Sequence, residues 1–138
     1  MKKKVLCIES NNSLGMVIKT VLSDSFRVSV VNNIFDAMDQ LPCADFDCIV
    51  LSVEQRNMLP AALLHHLDSS VFFREIPVVM LSDYEDQQLS QIRDVYEVAA
   101  FFRKPFDPLR LADSVKSICY PVSTSEVLFK KRKFLNLN

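Results

Sequence analysis

The sequence predicts a single doubly wound α/β domain built on a five-stranded parallel sheet. Three observations lead there. Short apolar runs alternate along the chain with stretches of helical periodicity. The runs are continuous rather than alternating, as strands covered on both faces require. The chain has 138 residues, the length of one domain with a substantial core.

Each element can be justified in order. Val5-Leu6-Cys7-Ile8 is a buried strand, and Leu14, Val17, Ile18, Val21 and Leu22 then recur at helical spacing. Ser10-Asn11-Asn12-Ser13 supplies the cap of that helix. Arg27 to Val31, rich in β-branched residues, is the second strand. Asn33 caps a helix whose apolar face is Ile34, Ala37, Met38 and Leu41. Cys48 to Leu51 is the third strand, Pro60 to Leu67 a helix, and Pro77 to Leu81 the fourth strand. Leu89, Ile92 and Tyr96 mark the next helix, and Ala99 to Phe102 the fifth strand. Asp107-Pro108 reads as an N-cap with proline at the first helical position. The helix it opens carries Leu111, Ala112, Val115, Ile118 and Cys119 on one face and ends at Tyr120-Pro121.

Composition narrows the function classes. Hydrophobic residues at 49% and charged residues at 24% place the chain among globular proteins rather than disordered ones. No apolar run approaches the roughly 18 residues of a membrane helix. The basic start, Met1 to Lys4, is followed only by the four-residue run Val5–Ile8, too short for a signal-peptide core. Cys7, Cys43, Cys48 and Cys119 show no zinc-like spacing and are expected to be buried, reduced thiols of a cytosolic protein. Lys130 to Lys133 adds four positive charges and Glu126 one negative to a chain of net charge −1, which leaves −4 on residues 1–122. An acidic body argues against a nucleic-acid surface there.

Several chemistries lack their motifs. The sole glycine, Gly15, rules out a Gly-rich phosphate loop, and there is no Gly-x-Ser-x-Gly elbow for a hydrolase. His65 and His66, adjacent on a helix, point about 100° apart and cannot both hold one metal, so they read as helix surface. In an open parallel sheet, ligands bind at the carboxyl ends of the strands. That places Glu9, Ser10, Ser52, Glu54, Ser82 and Lys104 together as the candidate site.

Those positions resemble the receiver domains of two-component response regulators, over about residues 3–120. Lys104-Pro105-Phe106-Asp107-Pro108 is similar to the family's Lys-Pro-Phe segment. Ile76 to Ser82 resembles its fourth strand with the terminal Ser or Thr, and Asp47 to Ser52 its third strand, which normally ends on the phosphorylated aspartate. The resemblance implies a CheY-like, flavodoxin-like (βα)5 fold. In such domains an aspartate accepts a phosphoryl group while magnesium, a hydroxyl and a lysine neutralise its oxygens. Here Ser52 stands at the acceptor position, and Ser10 where the second metal-binding acid belongs. An alcohol without a base is a poor nucleophile. Two of three carboxylates are gone, so magnesium is expected to bind weakly or not at all, with no other cofactor. Arg56-Asn57 replaces the usual Pro-Gly after the acceptor strand. Ser82 and Lys104 match the phosphate-sensing pair, and Phe101 stands at the aromatic switch position, where core packing is the expected role. Lys104 needs another partner, with Glu9 the first candidate and Glu54 the second.

The resemblance thus implies a degenerate receiver, a cytoplasmic protein-interaction module rather than an enzyme, over residues 1–121. Its expected interface for a protein partner or homodimer is the face of the fourth helix, fifth strand and fifth helix, carrying Gln88, Gln91, Asp94, Tyr96, Arg103, Arg110, Asp113 and Lys116. No membrane contact is expected. Two alternatives are a regulatory receiver of a larger transcriptional or enzymatic regulator, and a receiver binding a divalent ion through Glu9 and Glu54.

Residues 122–138 form a basic tail or linker outside the α/β pattern, with a capping-box sequence at Ser123 to Glu126. Truncation after Pro121 is therefore expected to leave the thermal midpoint nearly unchanged in scanning calorimetry. A loss of several degrees, equivalent to about 1 kcal/mol or more, would instead make the tail part of the folded body.

Overall fold

A computed structural model describes residues 1–54, 60–82 and 87–121, with residues 87–89 described by backbone alone. The elements are β1 (Lys3–Ile8), α1 (Asn12–Leu22), β2 (Phe26–Val31), α2 (Ile34–Gln40), β3 (Cys48–Val53), α3 (Pro60–Asp68), β4 (Val78–Ser82), α4 (Gln87–Val95), β5 (Ala100–Arg103) and α5 (Pro108–Cys119). A short 3-10 turn, Leu41–Cys43, follows α2. The five strands form one parallel sheet in the order β2-β1-β3-β4-β5. This is the doubly wound architecture that the sequence predicts. The expected tail, the capping-box segment and Arg56-Asn57 lie outside the described residues.

Helix starts follow local hydrogen-bond chemistry. The Asn11 side chain accepts from the Leu14 N–H, Asn33 from Asp36, and Asp107 from Leu109, each satisfying a donor that its helix leaves open. Pro108 sits in the first turn of α5, where a missing N–H costs nothing.

The strands alternate their side chains between two cores. Leu6, Ile8, Ile49, Leu51, Val53, Val78 and Met80 pack with α2 and α3 and with partly buried Ile92 of α4. Val5, Cys7, Cys48, Val50, Val79 and Leu81 pack with α1 and α5. The sheet is thus sealed on both faces, and each fully buried aliphatic side chain contributes about 1.5–3 kcal/mol. Among the described residues no helix is long and apolar enough to cross a membrane.

Two expectations are corrected. Val17 is 42% exposed, and the inner face of α1 is Gly15, Ile18 and Leu22. A 100° step per residue carries Val17 past the edge of the contact once Ile18 points straight at the sheet. Cys43 is exposed, because it closes the surface turn after α2, so only Cys7, Cys48 and Cys119 are buried.

These positions yield a contrast. Ile18→Ala is expected to lower urea-unfolding stability by about 2–5 kcal/mol, whereas Val17→Ala stays within about 0.5 kcal/mol. Comparable losses for the two would show that the helix face has been assigned wrongly.

Candidate functional site

The strand order turns outward in both directions from the β1–β3 pair, the place where open parallel sheets bind ligands. Ile8 pairs with Leu51, so the next residues along the two strands, Glu9 and Ser52, come side by side at the carboxyl edge. Leu51 and Ser52 pair in turn with Met80 and Leu81, and Ser82 with Arg103. The register therefore lines up Glu9, Ser52 and Ser82 along the rim. The Lys104 N–H donates to the Ser82 carbonyl at 2.6 Å and fixes the segment that carries the ammonium. The Lys104–Pro105 peptide is cis.

Glu9 is the centre of the arrangement. It is 1% exposed, an unusual place for a carboxylate. Its Oε1 lies 3.3 Å from Lys104 Nζ and accepts a 2.8 Å hydrogen bond from the Ser52 hydroxyl. Its Oε2 accepts from the Asn11 backbone N–H at 3.2 Å. Burying a carboxylate costs several kcal/mol, and only pairing with hydrogen bonds to both oxygens offsets it. Beside it the Ser10 hydroxyl donates to Glu54 Oε1. Ser82 is fully buried.

Gly15 allows this crowding. A Cβ there would meet Val30 Cγ1 at 3.2 Å, with Glu9 Cβ and Cγ 4.0 Å away. The missing side chain lets α1 sit low over the ends of β1 and β2, which brings its N-terminal backbone to Glu9.

The chemistry of this donor set is that of a closed ion pair. Magnesium asks for several hard oxygens in near-octahedral geometry. Among the described residues the carboxylates at this edge are Glu9, both of whose oxygens are engaged, and Glu54, which accepts from Ser10. These two described carboxylates do not by themselves supply the oxygens that ion asks for. Among the described residues no three His, Cys, Asp or Glu side chains converge as a metal group.

Phe101, half-buried, packs against the core on the α2–α3 side, and the Arg93 guanidinium lies 4.7 Å above its ring. That cation–π contact, worth about 0.5–1 kcal/mol at an accessible site, was not legible in the sequence. Nor was the Ser10–Glu54 bond, nor the extension of β3 past Ser52 to Val53. Of the expected interface residues, Gln91, Asp94, Arg103, Arg110, Asp113 and Lys116 are exposed and Tyr96 is partly buried, while the Gln88 side chain lies outside the described residues.

No protein-family model and no curated protein sequence matches the chain. Solved structures do. The signal receiver domain of a signal transduction histidine kinase from Syntrophus aciditrophicus aligns at 24% identity with a TM-score of 0.78, covering 88% of this chain and 93% of that one. A chemotaxis response regulator of Vibrio cholerae aligns at 19% identity and TM-score 0.76, covering 86% and 99%. A response regulator from Thermotoga maritima aligns at 22% and 0.74, covering 86% and 98%. The chain has the CheY-like receiver fold.

The ion pair can be tested directly. Glu9→Gln leaves the Lys104 ammonium, 16% exposed, without its counter-charge. We expect a loss of about 1–3 kcal/mol, less than a fully buried broken pair because Lys104 reaches solvent. Combining Glu9→Gln with Lys104→Met should recover part of that loss. Additive losses in urea denaturation would show that the two residues do not interact.

Proposed function

We propose that this chain is a receiver-type domain of two-component signal transduction that works without aspartyl phosphorylation. It acts in the cytoplasm as a protein-interaction module rather than an enzyme. The observation that carries this reading is the Ser52–Glu9–Lys104 set. Ser52 stands at the position of the phosphoacceptor and donates its hydroxyl hydrogen to Glu9. Lys104, at the position of the phosphate-sensing lysine, is 3.3 Å from the same carboxylate oxygen.

The chemistry supports it step by step. Phosphoryl transfer to a carboxylate needs a nucleophile, a metal to offset charge and a cation for the equatorial oxygens. Here the nucleophile is an alcohol. Glu9, the nearest carboxylate, is already paired with Lys104 and accepts the Ser52 hydrogen bond. The lysine that would meet the phosphoryl oxygens thus has a partner among the pocket's own residues.

Signal output then depends on recognition at the surface. The α4–β5–α5 face carries Arg103, Arg110 and Lys116 beside Asp94 and Asp113, a mixture suited to reciprocal pairs with a protein partner or a second copy. Exposed Val95 and Leu109 add apolar area to α4 and α5.

Intact-mass analysis after incubation with acetyl phosphate and magnesium is expected to find no added phosphoryl group, roughly 80 Da. Ser52→Asp alone should also stay unlabelled, because the carboxylate would face Glu9 without a second acid at position 10. Ser52→Asp combined with Ser10→Asp should label appreciably. A base-labile adduct on the unaltered chain would overturn the reading, and efficient labelling of Ser52→Asp alone would show that the metal ligands are elsewhere.

A further inference from the structure

The amino end of the sheet, opposite Glu9, carries a recess outside the site already described. A cavity of about 460 Å³ opens there between the end of α3, the segments leading into β4 and β5, and the end of α5. Its wall is apolar: Leu64, Leu67, Val78 and Val98 are buried, and Ile76 and Ile118 half-buried. The volume falls within the roughly 300–1,000 Å³ of sites that enclose a ligand.

The rim is charged, and unequally so. Asp68, Glu75 and Glu97 stand exposed on it against Arg74 alone. Among the described residues none of these three acids is in an ion pair. Lys3 and Asp47 also line the cavity, but both are committed within the protein. Lys3 Nζ donates to the Cys119 carbonyl at 2.6 Å, and Asp47 Oδ2 accepts from the Lys4 N–H at 2.9 Å. The open side therefore presents apolar area ringed by an excess of negative charge.

The chain itself leaves the body at this rim. Tyr120 is anchored, because its hydroxyl accepts from the Lys3 N–H at 3.1 Å and its ring stacks on Phe26 at 5.6 Å. Pro121, the next residue, lines the cavity. The sequence that follows has the complementary composition: Val127-Leu128-Phe129, then Lys130-Lys131-Arg132-Lys133, then Phe134-Leu135. Only residues 122–126 separate its first apolar group from the cavity wall, a span of at most about 18 Å. Tethering over so short a link gives an effective concentration on the order of millimolar. A second copy would bring the same excess of negative charge to the rim, so a two-fold contact through the cavity is repelled, whereas a basic segment is attracted.

We propose that this cavity is the docking groove of the chain's own basic segment, residues 127–135. The apolar side chains at 127–129 enter the cavity, and the lysines with Arg132 meet Asp68, Glu75 and Glu97. The groove is a recess of the surface, so its occupation is read from proximity rather than from the thermal midpoint. A partner peptide of the same basic and apolar chemistry has to displace the segment before it can bind there.

The test uses the full chain. An equal mixture of unlabelled and isotope-labelled protein is treated with a carbodiimide, which joins lysine amines to carboxylates in contact, and the cross-linked peptides are mapped by mass spectrometry. The expected links join Lys130, Lys131 or Lys133 to Asp68, Glu75 or Glu97, in pairs of a single isotope composition. Their yield should fall several-fold between about 0.05 and about 0.5 M salt, as screening requires. Links spread equally over the exposed Asp24, Asp36, Asp45 and Asp113 would overturn the proposal, because long-range charge alone would then be placing the segment. Pairs of mixed isotope composition would overturn it too, by making a second copy's segment the occupant, and so would the absence of links from these lysines. The variant Leu128→Ser with Phe129→Ser keeps every charge. It is expected to cut the yield at least about three-fold, since its apolar side chains no longer leave water. An unchanged yield in that variant shows that the cavity is not what holds the segment.

Discussion

A buried carboxylate has to be neutralised, and the carboxyl edge of this sheet is organised around that requirement at Glu9. Lys104 supplies the charge, Ser52 and the Asn11 backbone supply hydrogen bonds, and each comes from a different part of the chain. β1, β3, the segment after β5 and the start of α1 are therefore tied at one point. Moving any of them would leave a charge or a polar group buried without a partner, at a cost of several kcal/mol. The single glycine belongs to the same constraint, because it lets α1 approach closely enough for its backbone to reach the carboxylate.

This shows how a receiver fold accommodates serines at positions 10 and 52. A pocket made of acids repels itself unless a cation is present. Here the buried carboxylate is neutralised internally, because Lys104 is paired with Glu9, and positions 10 and 52 carry serines rather than acids. The sheet and its two cores need nothing further from this edge. The outer faces of the helices carry mixed charges and exposed apolar residues such as Val95 and Leu109.

The two ends of the sheet differ in character. The carboxyl edge carries the Glu9 polar set, while the amino edge has a cavity lined in part by Lys3, Ile76, Val98 and Cys119. Parallel strands carry both ends through the same core. α5 is the common member, beginning just past Lys104 and ending at Cys119.

The sequence by itself determined the order and type of the five strands and five helices, though not the 3-10 turn at Leu41–Cys43. Apolar runs and helical periods reflect burial on both faces, and caps such as Asn33 and Asp107 act within three residues of themselves. It also determined which residues stand at the strand ends, and hence that Glu9, Ser52, Ser82 and Lys104 would meet. Periodicity was too coarse to decide which side of α1 faces inward, because Val17 and Ile18 differ by one step of 100° and only packing chooses between them. Tertiary structure alone decided that both Glu9 oxygens are engaged, that Ser10 turns to Glu54, and that Arg93 covers Phe101. Each of those contacts joins side chains distant in sequence. Their meeting depends on strand register and helix placement, which are set by the whole core and by no local pattern.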